Sequence, residues 1–353
     1  MDLVPLVDRL GDAPSAALFG LVTGIVFGVA AQRSRFCLRA AVVELARGRM
    51  EDRMAVWLLC FSTAVVWVQA AQLSGLIETG DARMMAVPGS WSGAVIGGLL
   101  FGAGMVLARG CSGRLLVLGA TGNLRSIVSG LIFAVTAQMA LTGWLSPARD
   151  SLAALSITPN GRNMELLSSL GLPAYSGLLF GLATAALALH LARRHKIGLR
   201  RLVFASGVGF ATALGWALTY ALSQVAFEPV QVESLTFTGP SANTLMFILD
   251  KSALLEFDIG LVPGVVIGAG VSAWLAGEWQ LQAFEGTVPM RNAMIGAALM
   301  GFGGMLAGGC AIGAGVTGGS IFAATAWLAL FCMWIGGMAT DAALRASGQP
   351  APA

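Results

Sequence analysis

The stretch "GGLLFGAGMVLARGCSG", residues 97–113, is apolar, rich in glycine and repeated later in the chain. It aligns without gaps with "GAALMGFGGMLAGGCAI", residues 296–312, at an offset of 199. In this alignment Gly110 matches Gly309, and Cys111 matches Cys310. We therefore expect a duplicated chain whose halves cover approximately 15–148 and 174–343.

The composition around this repeat is that of a membrane protein. Of the 353 residues, 56% are hydrophobic and 11% are charged, whereas an ordinary soluble domain is roughly a quarter charged. A run of about twenty apolar residues is long enough to cross a bilayer as a helix. Such runs leave no room for a soluble domain, and they occur near 17–36, 54–77, 92–109, 126–145, 174–192, 202–224, 259–276, 293–309 and 320–340.

This pattern predicts an all-α polytopic membrane protein that forms a single integral membrane domain over 1–353. We expect about nine transmembrane helices, short re-entrant helices and two pseudo-symmetric halves. Basic residues concentrate after the first, third and fifth spans, which places those loops in the cytoplasm, the N-terminus outside and the C-terminus inside. Segment 225–258 is then an outward segment. The net charge of +3 gives no argument for binding nucleic acid.

The order of the repeats leaves a question of direction. Besides the first pair, "GLVTGIVFG" at 20–28 matches "GLVPGVVIG" at 260–268. With nine spans, the third and eighth run in opposite directions, whereas the first and seventh run in the same direction. A single two-fold axis cannot relate both pairs. Either an apolar segment is re-entrant, which we favour because glycines break the segments after Cys111 and Cys310, or the first half has gained a helix.

The five cysteines fall into two groups. They include no CxxC pair, and their scattered spacing argues against a zinc site or a disulfide framework. Cys60 and Cys332 lie among large apolar residues, where a thiol acts as a small hydrophobe. The second group consists of Cys37, Cys111 and Cys310. Two interpretations are open for this group: the three residues share a role, or they are three unrelated buried thiols. Thiols suit a soft, sulfur-bearing ligand better than a hard oxyanion.

An anionic ligand would need compensation for its buried charge. Arg33, Arg35 and Arg109 are candidates for that role, and so are the backbone N–H groups beside Gly110 and Gly309. For Arg33 and Arg35, the alternative is ordinary anchoring at the cytoplasmic face. Neither the histidines nor the glycine strings match a metal or cofactor motif.

Four motifs give the chain a resemblance to a known family. The sequence resembles the YeeE/YedE family of sulfur-transport membrane proteins, over nearly its whole length. The resemblance implies a thiosulfate-uptake protein of the bacterial inner membrane, in which broken helices converge on a narrow central constriction. The motifs are "FGVAAQRSRFC" ending at Cys37, "ARGCSGR" around Cys111, "TGPSA" at 238–242 and "AGGCAIGA" around Cys310.

By the same resemblance, Cys37, Cys111 and Cys310 line the path. Thiosulfate would pass through transient S–H···S contacts without covalent attachment. The implied partners are membrane lipid and a small cytosolic sulfur-carrier protein of the TusA type.

Three other functions stay open. The protein could transport a selenium or another sulfur species, as the YedE-like branch of the family implies. It could be a membrane thiol oxidoreductase or sulfurtransferase, although the lack of a CxxC pair argues against this function. It could also be a membrane subunit that recruits a soluble sulfur enzyme, in which case its cysteines would be replaceable.

Overall fold

The computed structural model describes residues 3–251, 254–283 and 286–347. Over these ranges the chain is helical, and its β-structure is limited to isolated bridges. The predicted all-α class is therefore confirmed. The elements are α1 (Val4–Leu10), α2 (Asp12–Ser34), α3 (Leu38–Ala46), α4 (Asp52–Leu73), α5 (Arg83–Ala86), α6 (Trp91–Leu107), α7 (Ser112–Ala120), α8 (Leu124–Leu141), α9 (Ser146–Ala153), a 3-10 turn (Pro159–Gly161), α10 (Leu166–Ser169), α11 (Ser176–Arg194), α12 (Leu199–Ser223), α13 (Thr238–Leu249), α14 (Phe257–Leu275), α15 (Thr287–Leu306), a π-helical turn (Gly313–Gly318) and α16 (Ala324–Ala346).

Nine helices in the described part of the chain have 17 or more residues, and they follow the order of the nine predicted spans. Eight spans are long and apolar enough to cross a membrane, with α2 and α3 counted together and α6 and α7 counted together. The remaining long helix, α15, is long enough but not apolar enough to be counted, because Arg291 and Asn292 in its first turns lower its mean hydropathy. The protein is thus a multi-pass membrane protein.

Helices α2 and α14 lie in close backbone contact along their lengths. Gly20 faces Phe257, and Gly28 faces Val265, so the two helices are parallel. A Cβ atom at any glycine of this seam would overlap backbone atoms of the opposite helix, which is why glycine is needed there. The seam is formed by Gly20, Gly24, Gly28, Gly260, Gly264 and Gly268.

Helices α6 and α15 make a second seam, but they are antiparallel. Gly97 faces Gly303, and Gly104 faces Gly296. These glycines belong to the two copies of the repeat, so the repeated segments pack against each other. The opposite directions of α6 and α15, and the common direction of α2 and α14, agree with the count of nine spans.

Candidate functional site

Three cysteines occupy the same kind of break at the end of a long helix. Two residues before each cysteine, the backbone enters the left-handed region, which ends a helix. The φ values are 55° at Arg35, 59° at Arg109 and 75° at Gly308. Such a conformation is uncommon for arginine, and strained residues of this kind cluster at functional sites. The breaks precede Cys37, Cys111 and Cys310.

A short helical element follows each break. Cys37 is the N-cap residue of α3, and Cys111 is the N-cap residue of α7. Cys310 lies just ahead of the π-helical turn, where the Gly313 N–H donates to its Sγ atom over 3.3 Å. The free N–H groups at the start of a helix favour negative charge. The three thiols are therefore placed where the backbone can stabilise an anion.

The structure brings these three cysteines together. Cys37 and Cys310 are both electrostatic neighbours of the Cys111 thiol, and the backbone N–H groups of Leu38 and Arg114 lie near it. Cys111 and Cys310 are fully buried, whereas Cys37 is half-buried. Cys111 is thus the central member of what we call the cysteine cluster, formed by Cys37, Cys111 and Cys310.

Cys60 and Cys332 lie within helix-packing contacts. The Cys60 carbonyl lies against Gly209 of α12, and the Cβ atom of Cys332 lies against Gly98 of α6. These contacts match the interpretation of both residues as small hydrophobic side chains.

The arginines singled out from the sequence have different surroundings. Arg33 donates to the hydroxyl and to the carbonyl of Ser272, each over 2.7 Å, and so ties α2 to α14. Arg35 is exposed and lies 3.8 Å from the carboxylate of Glu278. Arg109 is half-buried and interacts electrostatically with Arg39 on α3. Of these three, only Arg109 shares its break with a buried thiol.

The two glycines next to the buried cysteines have different amounts of space. Gly309 is buried, and a Cβ atom there would lie 3.0 Å from the Ala314 nitrogen. Gly110 is also buried, but an added Cβ would make only ordinary contacts, at 3.5 Å or more, with side chains. A side chain at position 309 would therefore crowd the backbone of the π-helical turn, whereas position 110 has room for a Cβ atom.

Arg114 is a site residue that the sequence did not single out. It lies in the first turn of α7, and its guanidinium interacts electrostatically with Cys37 and Cys111. Its Nη1 atom is buried and has no hydrogen-bond partner among the described residues. A buried charged donor without a partner is costly, so this atom is suited to an anionic ligand. The sequence feature that could have identified Arg114 is its position three residues after Cys111, within the motif "ARGCSGR".

A cavity of about 270 Å³ lies next to the segment that carries Cys310. Gly308 and Gly309 form its wall next to Cys310, and Thr236 lies against Gly313. The chain between α12 and α13 supplies much of the remaining wall, together with Arg83 of α5. The outward segment predicted over 225–258 thus includes residues that line this cavity.

Comparisons with known proteins agree with this architecture. A thiosulfate transporter TsuA from Spirochaeta thermophila is 28% identical over 327 residues, which cover 88% of this chain and 93% of that protein. A thiosulfate transporter TsuA from Escherichia coli K12 is 26% identical over 340 residues, covering 91% and 93%. A family model described as sulphur transport matches residues 33–339, a range that contains all three clustered cysteines. The chain therefore belongs to the sulphur transport family.

Proposed function

We propose that this protein takes up thiosulfate across the bacterial inner membrane, along a path lined by Cys37, Cys111 and Cys310. The observation that carries the proposal is the convergence of these three thiols at breaks between long and short helices. The names of the two relatives support thiosulfate as the substrate.

Passage along the cluster needs a set of weak contacts. Removing a dianion from water is costly, and N–H groups at the helix breaks, including those near Gly110 and Gly309, offset part of that cost. Arg109 and Arg114 add positive charge beside the thiols. Each thiol then offers a transient S–H···S contact without covalent attachment. Several weak sites favour release over capture, as in other selective pores.

The contacts also support two inverted halves. Helix α6 packs on α15 and α16, and α15 packs on α6 and α8. In the same way, α2 packs on α14 while α12 packs on α4. We propose that α2–α8 corresponds to α12–α16, with α11 between them, so that the second half starts later than residue 174. The direction problem then disappears, because α2 corresponds to α12 and merely packs against α14.

Charge supports the proposed orientation. The end of the bundle that holds Cys37 also holds several arginine–carboxylate pairs, whereas the opposite end opens into the cavity described above. We propose that the arginine-rich end faces the cytoplasm, where a TusA-like sulfur carrier would receive thiosulfate, and that lipid surrounds the bundle. The pairs are Arg35 with Glu278, Arg47 with Asp341, Arg201 with Asp52 and Arg345 with Asp341.

The substrate is tested with the purified protein in proteoliposomes. We expect saturable uptake of labelled thiosulfate, competition by unlabelled thiosulfate, and little competition by sulfate, because sulfate has no terminal sulfur for a thiol contact. Stronger competition by a selenium oxyanion than by thiosulfate would instead support a selenium transporter. Equal competition by sulfate and thiosulfate would contradict a thiol-lined path.

The proximity of the three thiols also supports a second candidate, a thiol oxidoreductase or sulfurtransferase. Alkylation of free thiols during turnover, followed by mass spectrometry, separates the two functions. A disulfide or persulfide on Cys111 that appears only with substrate would support the enzyme. Three unmodified thiols during sustained uptake would support the transporter.

Arg114 provides a further prediction for the same assay. The Arg114→Gln variant should need about tenfold more thiosulfate for half-maximal uptake, because a charged hydrogen bond to the anion is lost. The matched control is Arg49→Gln, since Arg49 is exposed at the same end of the bundle and lies 3.8 Å from Glu51. An unchanged concentration dependence for Arg114→Gln would remove Arg114 from the site.

A further inference from the structure

Two buried carboxylates share one arginine at the cavity side of the bundle. The Arg83 Nη1 atom donates to Glu233 Oε2 over 3.1 Å and lies 3.9 Å from Asp258 Oδ2. The Glu233 side chain is 10% exposed and that of Asp258 is 1% exposed, whereas that of Arg83 is 44% exposed. The arginine thus reaches solvent while its acidic partners do not. We call Arg83, Glu233 and Asp258 the charge triad.

The charge triad lies between two cavities. Arg83 lines both the 270 Å³ cavity that reaches Gly309 and a second cavity of about 460 Å³. Glu78 and Asp81 line the second cavity, which we call the vestibule. The Arg83 side chain therefore borders both the vestibule and the cavity next to Cys310.

The inner cavity also contains unused donors. The Trp216 indole N–H and the Thr238 hydroxyl are both buried without a hydrogen-bond partner among the described residues, and both residues line this cavity. Trp216 is 1% exposed and Thr238 is 2% exposed. An indole N–H can only donate, so its missing partner must be an acceptor. Together with Arg83, which is paired with Glu233, these two unpartnered donors form a set suited to an oxyanion.

The backbone holds Glu233 in place beside Arg83. The Thr219 hydroxyl of α12 donates to the Glu233 carbonyl over 2.7 Å, and the Arg83 N–H donates to the Val232 carbonyl over 3.0 Å. Asn243 donates to Asp258 Oδ2 over 3.0 Å, and the buried Asp258 Oδ1 atom has no hydrogen-bond partner within the part of the chain that the structure describes.

The charge of the triad depends on protonation. With both carboxylates ionised, one positive and two negative charges leave a net charge of −1, which repels an incoming dianion. Burial, and then the neighbouring Asp258 carboxylate, raise the pKa of Glu233 to about 8. Glu256 raises it further, whereas Arg83 lowers it. Arg149 also lines the inner cavity, where it is paired with Asp150.

We propose that the charge triad is a proton-controlled oxyanion site, in which thiosulfate replaces Glu233 as the partner of Arg83 when Glu233 takes up a proton. The proton comes from water in the vestibule and forms an O–H bond on the carboxylate, and that bond breaks again when the proton is released, with the anion, to the inner side of the membrane. No electron transfer is involved. At least one proton therefore accompanies each dianion. This inference rests on the proposed function and adds its coupling ion.

The test follows thiosulfate and protons in the same proteoliposomes, with an entrapped pH dye and a clamped membrane potential. Thiosulfate remains a dianion from about pH 6 to about pH 9, so only the protein titrates in that range. Wild-type uptake should fall about tenfold between about pH 7 and about pH 9, because Glu233 loses its proton as the pH rises through its pKa. Thiosulfate added outside should acidify the interior.

Glu233→Gln imitates the protonated carboxyl group and cannot exchange the proton. We expect this variant to show uptake that does not change with pH and to lose the acidification. The control is Glu228→Gln, because Glu228 is an exposed glutamate of the same loop, and this variant should behave as the wild type. If Glu233→Gln does not fold, proton uptake by wild-type protein on thiosulfate binding in unbuffered detergent solution supplies the same test.

The outcomes separate the two proposals. Thiosulfate uptake by the wild type that is independent of pH and produces no acidification would overturn the proton-controlled site and leave the proposed function intact. A Glu233→Gln variant that keeps both the pH dependence and the acidification would also overturn it. Folded wild-type protein without thiosulfate uptake at any pH would overturn the proposed function and, with it, this inference.

Discussion

Cys111→Ala should reduce thiosulfate uptake by at least about tenfold at equal protein level, which corresponds to about 1.4 kcal/mol on the slowest step. Cys111 is the central thiol of the cluster, and it is fully buried with electrostatic contact to both Cys37 and Cys310. Alanine removes the sulfur atom that the proposed contact with thiosulfate needs. The middle of the path would lose a binding step that the two neighbouring thiols cannot replace.

Growth on thiosulfate as the sole sulfur source, in a strain without its own uptake routes, measures this effect. Cys37→Ala and Cys310→Ala should also impair growth, since they remove the other two thiols of the proposed path. Cys60→Ala and Cys332→Ala are matched controls, because both thiols lie in helix-packing contacts away from the cluster. If the three cluster variants grow as well as these controls at equal expression, the thiol-lined path is wrong.

Gly260→Ala should prevent most of the protein from folding into a monodisperse bundle. An alanine Cβ there would lie 2.7 Å from the Ala17 carbonyl carbon and 2.8 Å from the Leu21 nitrogen, and both atoms belong to backbone. Two helix backbones would have to separate, which costs more than the roughly 1–3 kcal/mol typical of overpacking. Because α14 and α2 form the seam next to Cys37, a small separation also disturbs the site.

Gly130→Ala is the matched control for this prediction. Gly130 is likewise inside a long helix, α8, but a Cβ atom added there meets nothing within 4 Å. The change should preserve or slightly raise stability, because alanine favours helix more than glycine does. Size-exclusion profiles and thermal unfolding in detergent compare the two variants. Equal yields and equal unfolding temperatures would show that the α2–α14 seam tolerates side chains.

Three residues of the candidate site could be singled out from the sequence because their signals are local. Cys111 and Cys310 stand out through the gap-free repeat, and Cys37 stands out through its arginine neighbours. Arg114 was not singled out, because a basic residue near the end of a span is usually explained by topology. Glu233 was also missed, since a lone acid in a loop of mixed polarity carries no signal of burial. Only its contact with Arg83, 150 residues away in sequence, shows its environment.

The same division explains the two glycine seams. Hydropathy was sufficient to predict the class of protein and the order of the long helices. These properties depend on solvent and on residues a few positions apart. Which helix packs against which, and in what direction, depends on contacts between distant segments. For that reason "GLVTGIVFG" and "GLVPGVVIG" resembled repeat copies in the sequence, whereas in the fold they are parallel packing partners. The proximity of the three thiols depends on tertiary structure in the same way, because Cys37, Cys111 and Cys310 are far apart in the sequence.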